Sequence, residues 1–390
     1  MTAQRSGSAP ASLGPVPDPA LAGPGAWLTI DLDAVAANYR LMKDAARGAR
    51  TAGVVKADGY GLGAVPVARR LAREGCDLFF VAHLSEALTL RRDGGALLEG
   101  CAIAVLNGVP PGCEGLAIGQ KIIPVLNAPE AVIAWAEAAA GPAGPHAPAF
   151  VQIETGMNRL GLTGEDVAAV RGRIESLSLA GILSHFACAD DPDHPLNAVQ
   201  TDRFRSMAGT LPSAPWSLAN SAATLSRPDA LFDLVRPGIG LYGANPFAER
   251  PNPLRPTVEL TARILQTRRI DKGDAVGYGA TYVAEGPRRL ATLAIGYADG
   301  YVRAGSGRNA AYVRTPQGPV AAPVLGRISM DLVTVDVTDA PEGLSRVGDS
   351  VIVIGGPADV DTVGRAAGTL GYEILTSLGH RYARTYLGAV

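Results

Sequence analysis

Lysine is scarce in this 390-residue sequence: only four occur, at positions 43, 56, 121 and 272, and arginine supplies the rest of the side-chain positive charge. Cysteine is equally sparse. Cys76, Cys101, Cys113 and Cys188 show neither CxxC spacing nor histidines at metal-site intervals, which points away from a metal site or a disulfide framework and towards unpaired thiols. No apolar run exceeds strand length, so no membrane partner is expected, and the opening stretch lacks the apolar core of a secretory signal. A cytoplasmic location follows as an expectation. A formal net charge of −2 with no basic stripe argues against nucleic acid. What is present is 47% apolar and 18% charged residues, the balance of a soluble globular protein, and the length predicts two domains.

Residues 1–25 are Ala-, Pro-, Gly- and Ser-rich and read as a flexible tail, because they offer little surface to bury against the cost of ordering a backbone. From Ala26, AWLTID predicts a short strand followed by an amphipathic helix. Eight apolar runs then follow: AGVVKA, LFFVAH, IAVLNG, IIPVLN, FVQIET, LAGILSHF, WSLAN and LVRPGIGLYG, most of them separated by helical patterns. Strands too apolar for a one-sided sheet, alternating with helices, predict an α/β fold, an eight-stranded parallel (β/α)8 barrel over residues 26–256. A doubly wound open sheet is the alternative. Polar residues end these runs: Lys56, His83, Asn107, Asn127, Glu154, His185, Asn220 and Arg236. That is the rim on which such a barrel builds its active site. Residues 257–390 change texture to alternating strands with glycine turns, a smaller β-rich C-terminal domain, with a helix expected near 359–370.

Lys56 ends the run AGVV and opens the glycine-spaced turn KADGYGLGA. An amine placed there can form a Schiff base with a carbonyl cofactor and move protons once released, although an ordinary surface lysine after a strand has the same pattern. Gly59, Gly61 and Gly63 match neither the dinucleotide nor the Walker spacing.

Read in order, VVKADGYGLGA, ETGMNRLGL, SHFACAD, LANSAATL, VRPGIGLYG, VGYGATY, LAIGYADGY, GRISMDLVTVDV and GYEILTSLGHRYARTYLG resemble the signature segments of the alanine racemase family, fold-type III pyridoxal-phosphate enzymes. The resemblance implies that Lys56 binds pyridoxal phosphate. Tyr60, Asn220, Ser221, the backbone at Gly238 and Ile239, and Tyr372 would cradle the phosphate end; Ser221 would equally suit a helix cap. Arg236 would face the pyridine nitrogen. Racemisation needs proton exchange on two faces of one carbon, and the resemblance assigns Lys56 to one face and Tyr278 to the other. A free tyrosine titrates near pH 10, too high to serve unaided. His185 and Arg159 match residues that would activate it. Arg159 would also bind the substrate carboxylate with the backbone of Met330, and Tyr297, Asp190 and Arg327 match an approach corridor that favours small amino acids. The family pattern further implies a homodimer in which Tyr278 and Met330 serve the other subunit's site. One departure stands out: Gln152 replaces a lysine that many members carry in carbamylated form, and its amide is expected to accept a hydrogen bond from Arg159.

The activity implied is interconversion of L- and D-alanine, supplying D-alanine for peptidoglycan. A serine or broad-specificity racemase remains open, as does a non-catalytic cofactor carrier, which would lack the C-terminal domain and Tyr278. A relative catalysing decarboxylation or aldol cleavage would carry different polar groups at the substrate end.

Overall fold

The computed structural model describes residues 23–141, 147–247 and 249–389, so the tail expected at 1–25 lies almost entirely outside the described residues. The chain opens with β1 (Ala26–Asp31) and a helix, Leu32–Ala45, that Asp31 caps by accepting the Ala34 N–H at 2.8 Å. Then follow β2 (Arg50–Thr51), β3 (Gly53–Val54), β4 (Leu78–Val81), β5 (Ala102–Val105), β6 (Ile122–Leu126), β7 (Pro148–Gln152), β8 (Ser178–Leu183), β9 (Trp216–Ser217) and β10 (Leu234–Val235). From β3 to β9 they form one parallel sheet in sequence order.

The eighth run closes the curl. β10 pairs in parallel with β2, and the Ala52 N–H between β2 and β3 donates to Val235 O at 3.0 Å. On the other flank Asp233 N–H donates to Trp216 O at 3.1 Å and Arg236 N–H to Ala219 O at 2.9 Å, tying β10 to the β9 strand. The expected (β/α)8 barrel is therefore present; its first stave joins β3, from the run AGVVKA, to β2, which precedes that run, and the two are parted at Ala52. Its strands are apolar on both faces because one faces the barrel interior and the other the surrounding helices. All four residues of β4 are buried.

The C-terminal region contributes β11 (Val258–Ile270), β12 (Ala275–Val276), β13 (Tyr282–Val283), β14 (Arg288–Leu293), β15 (Ala310–Val313), β16 (Val320–Pro323), β17 (Val333–Asp336), β18 (Ser350–Ile354) and β19 (Ala383–Leu387). In β17 the expected alternation holds, with Val333 and Val335 buried and Thr334 and Asp336 half-buried. The expected helix is Val360–Ala367. Among the expected strands with glycine turns, the segment VGYGATYV is a hairpin whose tip is a turn at Tyr278–Ala280. Gly277 and Gly279, at φ 75° and 74°, supply the left-handed backbone that this tip requires.

One placement differs from the division at residue 256. β1 joins the C-terminal sheet, antiparallel to β11 and parallel to β19. The physical reason is its alternation: Ala26, Leu28 and Ile30 are buried while Trp27, Thr29 and Asp31 are half-buried, the pattern of a one-sided sheet rather than of a barrel stave.

Candidate active site

A cavity of about 750 Å³ opens at the C-terminal ends of the barrel strands. Of the polar residues that end the runs, Lys56, Asn107, His185, Asn220 and Arg236 line it, and His83, Asn127 and Glu154 do not. Arg159, Tyr60, Ser221, Gly238, Ile239 and Tyr372 complete the set of expected residues on its wall.

Lys56 projects from the start of an unusual turn. Ala57, Asp58, Gly59 and Tyr60 run consecutively at φ 54°, 52°, 61° and 53°, a left-handed helical turn. Each non-glycine residue so placed costs about 1–2 kcal/mol, and the surroundings hold the turn against that cost. Glu86 Oε1 accepts the Ala57 N–H at 2.6 Å, Asp58 Oδ1 accepts the Ala64 N–H at 2.8 Å, and Gly61 N–H donates to Ala57 O at 2.8 Å. Glu86 was not anticipated as a site residue. Its signal was present as the third position of the helix Leu84–Asp93, where its other oxygen accepts the His83 N–H at 2.9 Å. Burial holds the Lys56 ammonium below its ordinary pKa; the Arg159 charge adds to this and Glu86 opposes it.

At the opposite wall the helix Ser221–Ser226 begins. Its cap is Asn220, whose Oδ1 accepts the Ala223 N–H at 3.0 Å, so Ser221 is free of that duty. Ser221 Oγ instead accepts from Gly238 N–H at 2.9 Å and Gly240 N–H at 3.1 Å. Tyr60 lies over this corner, stacked on Tyr242 with ring centroids 4.5 Å apart, and a Cβ at Gly238 would lie 2.4 Å from the Tyr60 hydroxyl oxygen. Only glycine fits there. Burial, with the charges of Asp190 and Asp361, pushes Tyr372 up to about 12, and Asp190 itself is exposed and does not line the cavity.

Arg236 is 5% exposed and, among the described residues, has no carboxylate partner. Its guanidinium donates to Ser184 O at 2.5 Å and to Ser217 Oγ, and burial lowers its pKa to about 10. An ordinary salt-bridge arginine would have an acid beside it. His185 is pushed down to about 3, by burial first and then by the charges of Arg236, Arg159 and Lys56. It is therefore a neutral imidazole that can donate one N–H, not a source of positive charge. The sign of its effect on folding follows. An unfolded histidine titrates near 6.5, so between that value and about 3 the unfolded chain binds the extra proton, and stability falls as pH drops through that window. Denaturant titrations at pH 7.5 and 5 should show this loss, and His185→Gln should reduce it.

Gln152 is buried, and its Nε2 donates to the Leu160 carbonyl at 3.0 Å; the expected bond from Arg159 to the amide oxygen is not formed. Its main chain adds a second tie, with Leu162 N–H donating to the Gln152 backbone carbonyl at 2.8 Å. Gln152 thus holds the Arg159 loop through both side chain and main chain. Gln152→Ala leaves Leu160 O without this donor and should cost about 1–3 kcal/mol in unfolding free energy, read by urea titration.

The remaining expected residues gather elsewhere. Tyr278, Met330 and Tyr297 are 71%, 54% and 41% exposed, and none lines the cavity. They share one edge of the C-terminal region: a Cβ at Gly279 would lie 3.1 Å from the Arg327 guanidinium, and Ala298 N–H donates to Met330 O at 3.0 Å. Within one chain, then, the structure brings together the lysine, arginine and phosphate-type groups. It leaves the tyrosine, the Met330 segment and Arg327 on a separate exposed surface.

Comparison with known proteins gives the family. Residues 30–246 match the family described as alanine racemase, N-terminal domain, and residues 257–386 match alanine racemase, C-terminal domain. The chain is 46% identical to the catabolic alanine racemase of Mesorhizobium japonicum over 94% of each protein. It is 46% identical to the alanine racemase of a Methylobacterium species, with 93% of this chain and 98% of that one covered. Among solved structures, the alanine racemase of Bartonella henselae with covalently bound pyridoxal phosphate superposes with a TM-score of 0.87 at 38% identity, covering 93% of this chain and 99% of that one. With both domains matched in order across nearly its whole length, the chain belongs to the alanine racemase family.

Proposed function

We propose that this protein is a pyridoxal-phosphate-dependent alanine racemase that interconverts L- and D-alanine across two subunits of a homodimer. The observation that carries the reading is the charge of the cavity: Lys56, Arg159 and Arg236 converge on a wall where, among the described residues, Glu373 is the one carboxylate. Such a site suits a dianionic phosphate and a substrate carboxylate together. The residues fit the cofactor. Lys56 would hold it covalently, and Ser221, Tyr60, Tyr372 and the backbone at Gly238 and Ile239 would hold the phosphate, with Asn220 fixing the turn. Arg236, cationic without a carboxylate beside it, would face the ring nitrogen and discourage its protonation.

Pyridoxal phosphate, when bound, supplies a sink for the electron pair left as the α-proton departs. Lys56, whose burial favours the neutral amine, takes or returns that proton on one face. Tyr278 does so on the other, with neutral His185 donating one N–H to its oxygen. Arg159 and the Met330 N–H hold the substrate carboxylate. Tyr297, Asp190 and Arg327 border the approach and restrict it to small amino acids. Incubation with L-alanine, and separately L-serine, in deuterated water tests the activity. Deuterated D-alanine supports it; bound cofactor without exchange from either amino acid overturns it in favour of a carrier.

The exposure of Tyr278 and Met330, away from their own chain's cavity, supports the shared site. A heterodimer of Lys56→Ala and Tyr278→Phe subunits has one complete site of its two, and should recover about half of the wild-type activity when neither parent homodimer is active. No recovery would overturn the shared arrangement. The proposal extends to a cytoplasmic role in supplying D-alanine for peptidoglycan. One of the relatives is named a catabolic enzyme, and the same two-faced chemistry serves either direction.

A further inference from the structure

Arg381 and Arg384 lie between the helix Gly371–Thr376, which carries Tyr372, and the end of the chain, and neither lines the cavity. Arg381 makes two ion pairs: Nε lies 2.6 Å from Asp299 Oδ1, and a terminal nitrogen lies 2.8 Å from Asp331 Oδ1. Asp299 is 5% exposed, and its second oxygen accepts the Gly296 N–H at 2.9 Å. It therefore ends the turn Tyr297–Asp299, while Asp331 directly follows Met330. Backbone bonds stitch these two segments together, from Tyr297 N–H to Ser329 O and from Ala298 N–H to Met330 O, both 3.0 Å. An isolated surface ion pair stabilises little. This one differs in that a single guanidinium spans two segments and one of its partners is buried.

Arg384 reaches the other way. It donates to Gly61 O at 2.7 Å, at the end of the left-handed turn after Lys56, and to Gly379 O at 2.9 Å. Gly379 N–H in turn donates to Asp299 O at 3.1 Å. The packing is close on both sides: a Cβ at Gly61 would lie 2.3 Å from Leu375 O, and one at Gly300 would lie 1.9 Å from Ser377 O.

The geometry points to Gly379–Arg384 as a positioning strap with two separable duties. Arg381 sets the Tyr297–Met330 edge that this chain presents to its partner's site, and Arg384 sets the Lys56 turn of its own. The inference rests on the shared-site reading of the dimer. Neither arginine touches substrate; each acts through backbone that it holds.

The test uses the Lys56→Ala/Tyr278→Phe heterodimer, in which the first subunit supplies Tyr278 and Met330 and the second supplies Lys56. Arg381→Met in the subunit supplying Met330 should raise KM for L-alanine about tenfold with a smaller change in kcat, the scale of one misplaced charge-assisted contact. In the other subunit it should leave KM nearly unchanged. Arg384→Met should weaken pyridoxal-phosphate binding about tenfold, measured by equilibrium dialysis, only in the subunit supplying Lys56. Arg381→Lys should recover much of the KM. Losses that ignore placement, or no loss in either, would overturn the strap. An inactive heterodimer before either arginine is changed would overturn the shared site itself.

Discussion

Replacing Lys56 with alanine should remove the visible absorbance of protein-bound pyridoxal phosphate and lower racemisation by on the order of 10⁴-fold, because the residue both anchors the cofactor and moves a proton. The geometry leaves no substitute: Lys43, Lys121 and Lys272 lie on other parts of the fold, and none lines the cavity. Compared without cofactor, the variant should nevertheless melt no lower than the parent. The Lys56 amine faces the cavity rather than the packed core, and its removal relieves repulsion with Arg159. Absorbance spectra and thermal melts of the purified variant check both parts. A retained visible band would mean that a different amine holds the cofactor.

Tyr278→Phe should act on one direction of proton traffic. Loss of the hydroxyl should slow α-proton exchange from L-alanine by roughly 10²–10⁴-fold while exchange from D-alanine, served by Lys56, falls far less. Deuterium incorporation into each enantiomer, measured separately by NMR, reads the difference. The side chain is 71% exposed on its own chain, so the substitution removes no buried contact there. Equal slowing from both enantiomers would assign Tyr278 a structural role.

How much of this was legible in the sequence depends on which physical constraint each segment answers to. Barrel staves such as LFFV read clearly because burial on both faces demands an unbroken apolar run, and Lys56 and Arg236 stood out as charges ending such runs. β1 fell within the stretch 26–256 assigned to the barrel, yet its alternation already spoke for a one-sided sheet. The Tyr278 segment reads only as strands with glycine turns, and the positive φ of Gly277 and Gly279 is what fixes its turn as a hairpin tip. Glu86 and Gln152 act by holding main-chain groups of other loops, Ala57 N–H and Leu160 O, and side-chain patterns do not record such contacts. The separation of Tyr278 from the cavity was implied by family resemblance alone, since no periodicity encodes what a chain does not touch.

The pairing of β1 with β11 and β19 makes the barrel, in topological terms, an insertion within the β-sheet region. The two parts are thus not separable at the junction near residue 256. A fragment starting at residue 257 would lack the strand between β11 and β19, and would expose two bare strand edges that invite self-association. The complementary fragment would carry β1 as an apolar ribbon with nothing to pair with. Supplying residues 26–31 through a new linker after β19 should restore a soluble β-region, because β1 and β19 already run side by side in the same sheet. A proteolytic nick between barrel and sheet would, for the same reason, leave both pieces held together.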